Sequence, residues 1–367
     1  MSKISSYQLF AITFIYQLGS TVIFGFGGSA GRDAWIGQLV SMCLGILVIL
    51  LYTILMRMNP RLTLVQWFPA QFGRWIGTPI AFLYPLLLLY QVGRGLADIR
   101  DMVSTTILFN TPFLIIEGVF IIVIAYCIYG GIEIIARLGE LIFPLFLVMF
   151  FIQVIFLFSS GVMNINNLRP VLENGWAPVW KVVFPGGISQ SFGETIFLAM
   201  FWTDTKQPEK VMKITIFSSI LFGIMLTFWD MLAISVFGSM FSRFLYPLYT
   251  LLGIITIGNF VENLQIFGIL YFVSTEFLKI MINMLGSLKG FQQLIQMKDY
   301  RVLIVPASII ALYLGLTMSK NISEHIYYTH MKILLPYIWV PMILILPTIL
   351  LIVTWFRQKV FKIKKIG

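Results

Sequence analysis

The residues with most chemical capacity in this chain lie inside stretches apolar enough to cross a lipid bilayer. Residues 18–27 read LGSTVIFGFG and residues 187–197 read GISQSFGETIF. Gly19, Ser20 and Thr21 interrupt the first stretch; Ser191, Phe192 and Gly193 interrupt the second, and Pro185, Gly186 and Gly187 loosen the approach to it. An unwound turn bares amides and carbonyls that hydrocarbon cannot satisfy, so it persists only beside a cavity or a ligand. Amides at the start of a half-helix attract an anion such as a carboxylate. Small residues also serve close helix packing. Breaks at matching places in two halves of a chain favour a binding site between them.

Glu194 follows the second break directly. A carboxylate at mid-membrane costs roughly 2.5–3.5 kcal/mol on insertion scales, so it is protonated or partnered. It can bind a ligand amine, exchange a proton, or tie the broken helix to a neighbour. Residues 90–101 read YQVGRGLADIRD, and at 100° per residue Tyr90, Arg94, Asp98 and Asp101 share one stripe while Arg100 points elsewhere. Arg94 and Asp98, four apart, can pair. Such a stripe either lines the approach to a pocket or forms an internal ionic tie. Glu276 and Lys279, three apart, repeat the pattern beside Ser274 and Thr275, whose hydroxyls can coordinate a cation or simply pack. Glu117, Glu140 and Asp230 are further acids in apolar surroundings with no partner that the sequence identifies.

The elements that must position these residues are transmembrane helices. The chain has 367 residues, 59% hydrophobic and 11% charged, with a mean hydropathy of +0.93. Soluble domains are nearer half apolar and a quarter charged. Ten segments reach spanning length, at about 7–27, 34–56, 78–107, 112–130, 134–160, 180–202, 211–238, 264–288, 302–319 and 334–356. They fall into a first repeat of about 7–160 and a second of about 180–357, joined by the polar loop 164–178, with a basic tail at 357–367. The chain reads as one integral membrane domain. Residues 61–77 are expected along one face of the membrane, and residues 239–265 as one or two short capping helices. The net charge of +10 is gathered in loops that ten crossings place together: Arg57, Arg61 and Arg74; Lys206, Lys210 and Lys213; Lys289, Lys298 and Arg301; and the tail. By the positive-inside rule both termini are cytoplasmic. The charge marks topology and contact with the bilayer, not nucleic acid.

Other signals lead nowhere. Residues 25–30 match G-x-G-x-x-A, but no strand precedes them. Residues 187–191 miss the hydrolase elbow at its last position. Cys43 and Cys127 read as small core residues, and His325 and His330 as members of an outer loop. No nucleophile stands with a base and no metal cluster is apparent, so neither an enzyme nor a cofactor is expected.

Several short stretches, in their order and spacing, resemble the B subunit of the GerA-type spore germinant receptors. They include ISSYQLF (4–10), LGS (18–20), GRDAW (31–35), GIEIIAR (131–137), NLRPVLENG (167–175), FGE (192–194), YPL (246–248), NFVENLQIF (259–267) and KDYR (298–301). That family is similar to the amino acid–polyamine–organocation transporters, whose kink motif maps onto Phe192, Gly193 and Glu194. The resemblance implies an all-α, LeuT-like fold of ten helices in a 5+5 inverted repeat, with discontinuous helices 1 and 6. It implies a multipass protein of the spore inner membrane that senses a small germinant, an L-amino acid first among them, in a complex with an A subunit and a lipoprotein C subunit. The expected ligand site comprises Gly19, Ser20, Thr21, Tyr90, Arg94, Ser191, Phe192, Gly193 and Glu194. An amino-acid/proton symporter needs the same broken helices and is the competing reading; a membrane scaffold without a pocket is a third.

Overall fold

The structure is a computed structural model and describes residues 3–22, 24, 27–256, 264–319 and 324–360. Part of the first expected break (Ile23, Gly25, Phe26), part of the 25–30 glycine motif and the tail beyond residue 360 lie outside the described residues.

Helix α1 (Ser6–Leu18) starts at a reciprocal cap, in which Ser5 Oγ accepts from the Gln8 amide at 3.1 Å and Gln8 Oε1 accepts from the Ser5 amide at 2.9 Å. It stops at Gly19, whose φ of +30° is unfavourable for any residue with a Cβ. A tight 3-10 turn, Gly19–Val22, follows. Then come α2 (Ala34–Met58), the short α3 (Leu64–Phe72), α4 (Arg74–Thr106), α5 (Phe113–Tyr129) and α6 (Ile132–Ser159). The second half opens with α7 (Trp176–Val182), which gives way to wide π turns over Val183–Phe192 and then to tight 3-10 turns over Gly193–Met200. Phe184 is extended, at φ −126° and ψ 133°, just before Pro185, which has no N–H to offer a helix. The remaining helices are α8 (Val211–Phe237), α9 (Pro247–Ile254), α10 (Gln265–Ile295), α11 (Ile304–Thr317) and α12 (Leu346–Val360), the last preceded by π turns over Glu324–Ile345.

Among the described residues, seven helical stretches are long and apolar enough to cross a membrane, and α5 is a shorter apolar helix. The chain is a multi-pass membrane protein. The helices sort into two groups by contact: α1, α2, α8 and the irregular 183–200 segment pack together, while α4, α5, α10 and α11 form a second group. α1 and α10 join the groups along the centre. α3 is separate from α4, and its Leu64, Val65, Trp67 and Phe68 are buried. The cysteines are not core residues: Cys43 is exposed and Cys127 half-buried on the outside of the bundle, where a small apolar side chain meets lipid as readily as protein.

The two ends of the bundle differ. At the end carrying the basic loops, Ile4 pairs as a parallel bridge with Thr205, through Ile4 N–H to Asp204 O and Lys206 N–H to Ile4 O, both 2.9 Å. Lys289 Nζ lies 2.7 Å from Asp204 Oδ2 beside it. The chain start is thereby fastened to the segment that follows the second break. A cavity of about 1080 Å³ flanks this seam, lined in part by Arg57, Arg61, Lys289 and Arg301. At the opposite end a wider cavity of about 1190 Å³ is lined by Gly28–Asp33, Pro185–Gly187, Ser239, Ser242 and Leu335 among others.

Close packing around the second break rests on Gly45 of α2, where any Cβ would fall within the ring of Phe192. Gly118 of α5 has no atom within 4 Å of its Cβ position. Gly45→Ala is expected to destabilise the protein by about 1–3 kcal/mol, whereas Gly118→Ala leaves it unchanged or slightly more stable. Thermal unfolding in detergent, followed by tryptophan fluorescence, checks the contrast.

Candidate functional site

Both interruptions meet at α10. Any side chain at Gly19 would collide with the Lys279 side chain, and its Cβ would lie 3.1 Å from Glu276 Oε2. Thr275 Oγ donates to Gly19 O at 3.2 Å. Gly19 is therefore glycine for its backbone angle and for the approach of α10. One turn earlier, Tyr16 OH donates to Asn283 Oδ1 at 2.7 Å, and Lys279 Nζ lies 5.7 Å from the Tyr16 ring centre. Thr21 is buried just beyond the break. Ser20 is described by its backbone, within the 3-10 turn.

From the second break, Glu194 reaches the same place. Its Oε2 is 2.7 Å from Lys279 Nζ, and its Oε1 accepts from Gln91 Nε2 at 2.9 Å and from Trp339 Nε1 at 3.0 Å. One carboxylate thus ties the irregular segment to α4, α10 and the 324–345 segment. The residue after it, Thr195, accepts from Gln17 Nε2 at 2.9 Å, and the same amide donates to Ser219 Oγ at 2.9 Å, adding α1 and α8. Gly193 is hemmed in by Ile343, 2.5 Å from its Cβ position. Ser191 is buried. Phe192 turns the other way, toward Gly45 and the Phe222 ring at 5.4 Å, and stands apart from Tyr90.

The charged stripe of α4 divides. Asp98 does not pair with Arg94; its Oδ1 is 2.9 Å from His325 Nε2. Arg100 pairs with Asp101 at 2.7 Å and Glu117 at 3.2 Å and donates to Gly315 O at 2.9 Å, joining α4, α5 and α11 in a structural tie. Tyr90 is half-buried with its ring 6.2 Å from that of Trp339, which also meets His330 at 5.4 Å. Of the acids left open by the sequence, Glu117 pairs with Arg100, Glu140 accepts from Gln8 at 2.9 Å, and Asp230 lies beside Gln38.

The two histidines overturn the expectation of an outer loop. Both are buried within Glu324–Ile345 and lie against the α4 stripe. The turn there is wide and the stretch carries His, Lys and Glu, so hydropathy alone starts the span too late. Gln91 and Trp339 were also beyond the sequence reading. The one available signal for Gln91 was a lone amide within LLLLYQVG, three residues before Arg94. For Lys279 the signal was clearer, since an intramembrane lysine requires a carboxylate; seven acids in apolar segments left the partner open. Among the described residues no group of three His, Cys, Asp or Glu is placed to hold a metal ion.

Comparison with solved structures places this arrangement in a class. The chain is similar to Mhp1, a nucleobase-cation-symport-1 family transporter in a closed conformation with bromovinylhydantoin bound. The TM-score is 0.64 at 11% identity, covering 85% of this chain and 72% of that one. It is also similar to a Na⁺-coupled sialic acid symporter in a substrate-bound outward-open state, with a TM-score of 0.62 at 13% identity, covering 86% and 73%. The fold is that of the LeuT-like transporters, all-α and membrane-embedded. The sequence narrows the class: residues 3–323 match the family described as Spore germination protein, and the chain belongs to it. Spore germination protein KB of Bacillus subtilis (strain 168) is 28% identical over 359 residues, 98% of this chain and 96% of that protein. Spore germination protein B2 of the same organism is 25% identical over 340 residues, 89% and 88%.

A buried pair broken on one side leaves an uncompensated charge, which costs about 3–5 kcal/mol. Glu194→Gln is therefore expected to destabilise the protein by about that amount, and adding Lys279→Met is expected to restore most of it. Thermal unfolding of both single variants and the double variant measures the coupling; additive losses would refute the tie.

Proposed function

We propose that this chain is the small-molecule-binding subunit of a spore germinant receptor. On this reading a nutrient enters from outside and is held where the two interrupted spans meet α4 and α10, in a pocket formed by Gly19, Ser20, Thr21, Tyr90, Arg94, Ser191, Gly193 and Glu194, with Phe192 packed behind it against α2 and α8. An L-amino acid is the leading candidate. The chain sits in the spore inner membrane with both termini in the cytoplasm, and assembles with A and C subunits that turn occupancy into germination. Binding favours one arrangement of the two helix groups, because a ligand shifts an equilibrium only through differential affinity.

One observation carries the reading: residues flanking both interruptions, Phe24 and Gly28 just after the first and Pro185–Gly187 just before the second, line a single cavity of about 1190 Å³. Within the same irregular segment, buried Ser189 Oγ and both polar atoms of the Gln190 amide have no hydrogen-bond partner among the described residues. Buried polar atoms of this kind call for water or a guest. Membership of the spore germination family supports the physiological setting.

The test uses the purified full-length chain in lipid nanodiscs and in proteoliposomes. At least one nutrient from a panel of L-amino acids, sugars and nucleosides is expected to raise the thermal midpoint, with no concentrative uptake of that nutrient when it is radiolabelled. Uptake driven by a proton gradient would instead make the chain a symporter.

A further inference from the structure

Most buried charges at the centre are matched. Lys279 pairs with Glu194 and Asp98 with His325, while Arg100 takes Asp101 and Glu117 further along α4. Two are left over. Arg94 is 6% exposed, and Glu276 is 3% exposed. Neither forms an ion pair among the described residues, and Arg94 Nε and Glu276 Oε2 have no hydrogen-bond partner there. They are neighbours nonetheless. Glu276 lies in the cleft between Gly95, the residue after Arg94, and Gly19 at the first break; a Cβ on Gly95 would sit 2.6 Å from Glu276 Oε1. Lys279, Asp98, Glu194 and His330 face the same region.

A buried charge without a partner is costly, and burial is tolerated where a counter-charge is supplied. Here a buried cation and a buried anion lie in one cluster and neither has an ion pair of its own among the described residues: the nearby Lys279 is taken by Glu194 and the nearby Asp98 by His325. The complement of that pair is a molecule carrying a carboxylate and an ammonium within a few bonds of each other. We infer that Arg94 and Glu276 are the two poles of a clamp for a zwitterion, Arg94 taking its carboxylate and Glu276 its ammonium. This rests on the proposed binding role and changes its chemistry. Glu194, already engaged by Lys279, Gln91 and Trp339, positions the broken span, and Glu276 meets the ligand amine. The Tyr90 and Trp339 rings, 6.2 Å apart, stand beside the clamp. The glycines at 19 and 95 keep Glu276 uncovered by neighbouring side chains.

The experiment measures thermal midpoints of the full-length chain in nanodiscs against L-amino acids, the matching amines that lack the carboxylate, the matching acids that lack the ammonium, and glucose, fructose, inosine and adenosine. The expected result is a rise with at least one amino acid and none with its two half-charged analogues. Glu276→Gln and Arg94→Gln are each expected to weaken that binding about 10–100-fold, the worth of one charged hydrogen bond. Neither is expected to lower the ligand-free midpoint, because each removes an uncompensated charge; a structural ion pair would behave oppositely. An amino acid that binds both variants as well as the parent overturns the clamp and leaves the binding role standing. So does stabilisation by a sugar or nucleoside alone. No stabilisation by any compound overturns both.

Discussion

The Lys279–Glu194 ion pair is the contact on which the centre of this protein depends. A helix interrupted within a membrane forfeits the backbone hydrogen bonds that would otherwise hold its halves in line. In this chain the alignment is supplied by side chains: α10 offers an ammonium, the irregular 183–200 segment offers a carboxylate, and both meet beside Gly19 at the end of α1. Gln91 and Trp339 complete the coordination of Glu194, so four elements converge on one carboxylate. Removing solvent from two charges is expensive, and geometry this complete is what offsets it.

Around that centre most of the irregular backbone is enclosed: Gly187–Met200 is buried throughout. Phe192 closes one flank of the second interruption against α2 and α8. The second helix group, α4, α5, α10 and α11, carries its own tie at Arg100, well removed from the breaks. The two helix groups thus carry separate ionic ties in separate parts of the bundle.

The all-helical, membrane-spanning character of the chain and its family were legible in the sequence because hydropathy and glycine placement are local signals, although only seven of the ten expected spans are long and apolar enough to cross a membrane among the described residues. α1 ends where LGST announces it, and the change from wide to tight turns falls between Phe192 and Gly193. Pairing among the buried charges was not legible. Arg94 and Asp98 have the ideal spacing for a bond along one helix, yet Asp98 turns to His325, more than two hundred residues away, because the packing of α4 against the 324–345 segment decides it. Glu276 and Lys279 likewise share a helix but look to different neighbours. Long-range choice among seven acids and a few cations is fixed by helix packing, which one sequence does not display.

The seam at the basic end bears on how such a molecule changes state. The chain start is stitched to the residues after the second break by two backbone hydrogen bonds, with the Lys289–Asp204 pair beside them. Exchanges of this kind are worth about 0.5–1.5 kcal/mol apiece. Unfastening them costs an amount of the same size as a few good contacts to a small molecule, so the door at that end is held on a light catch.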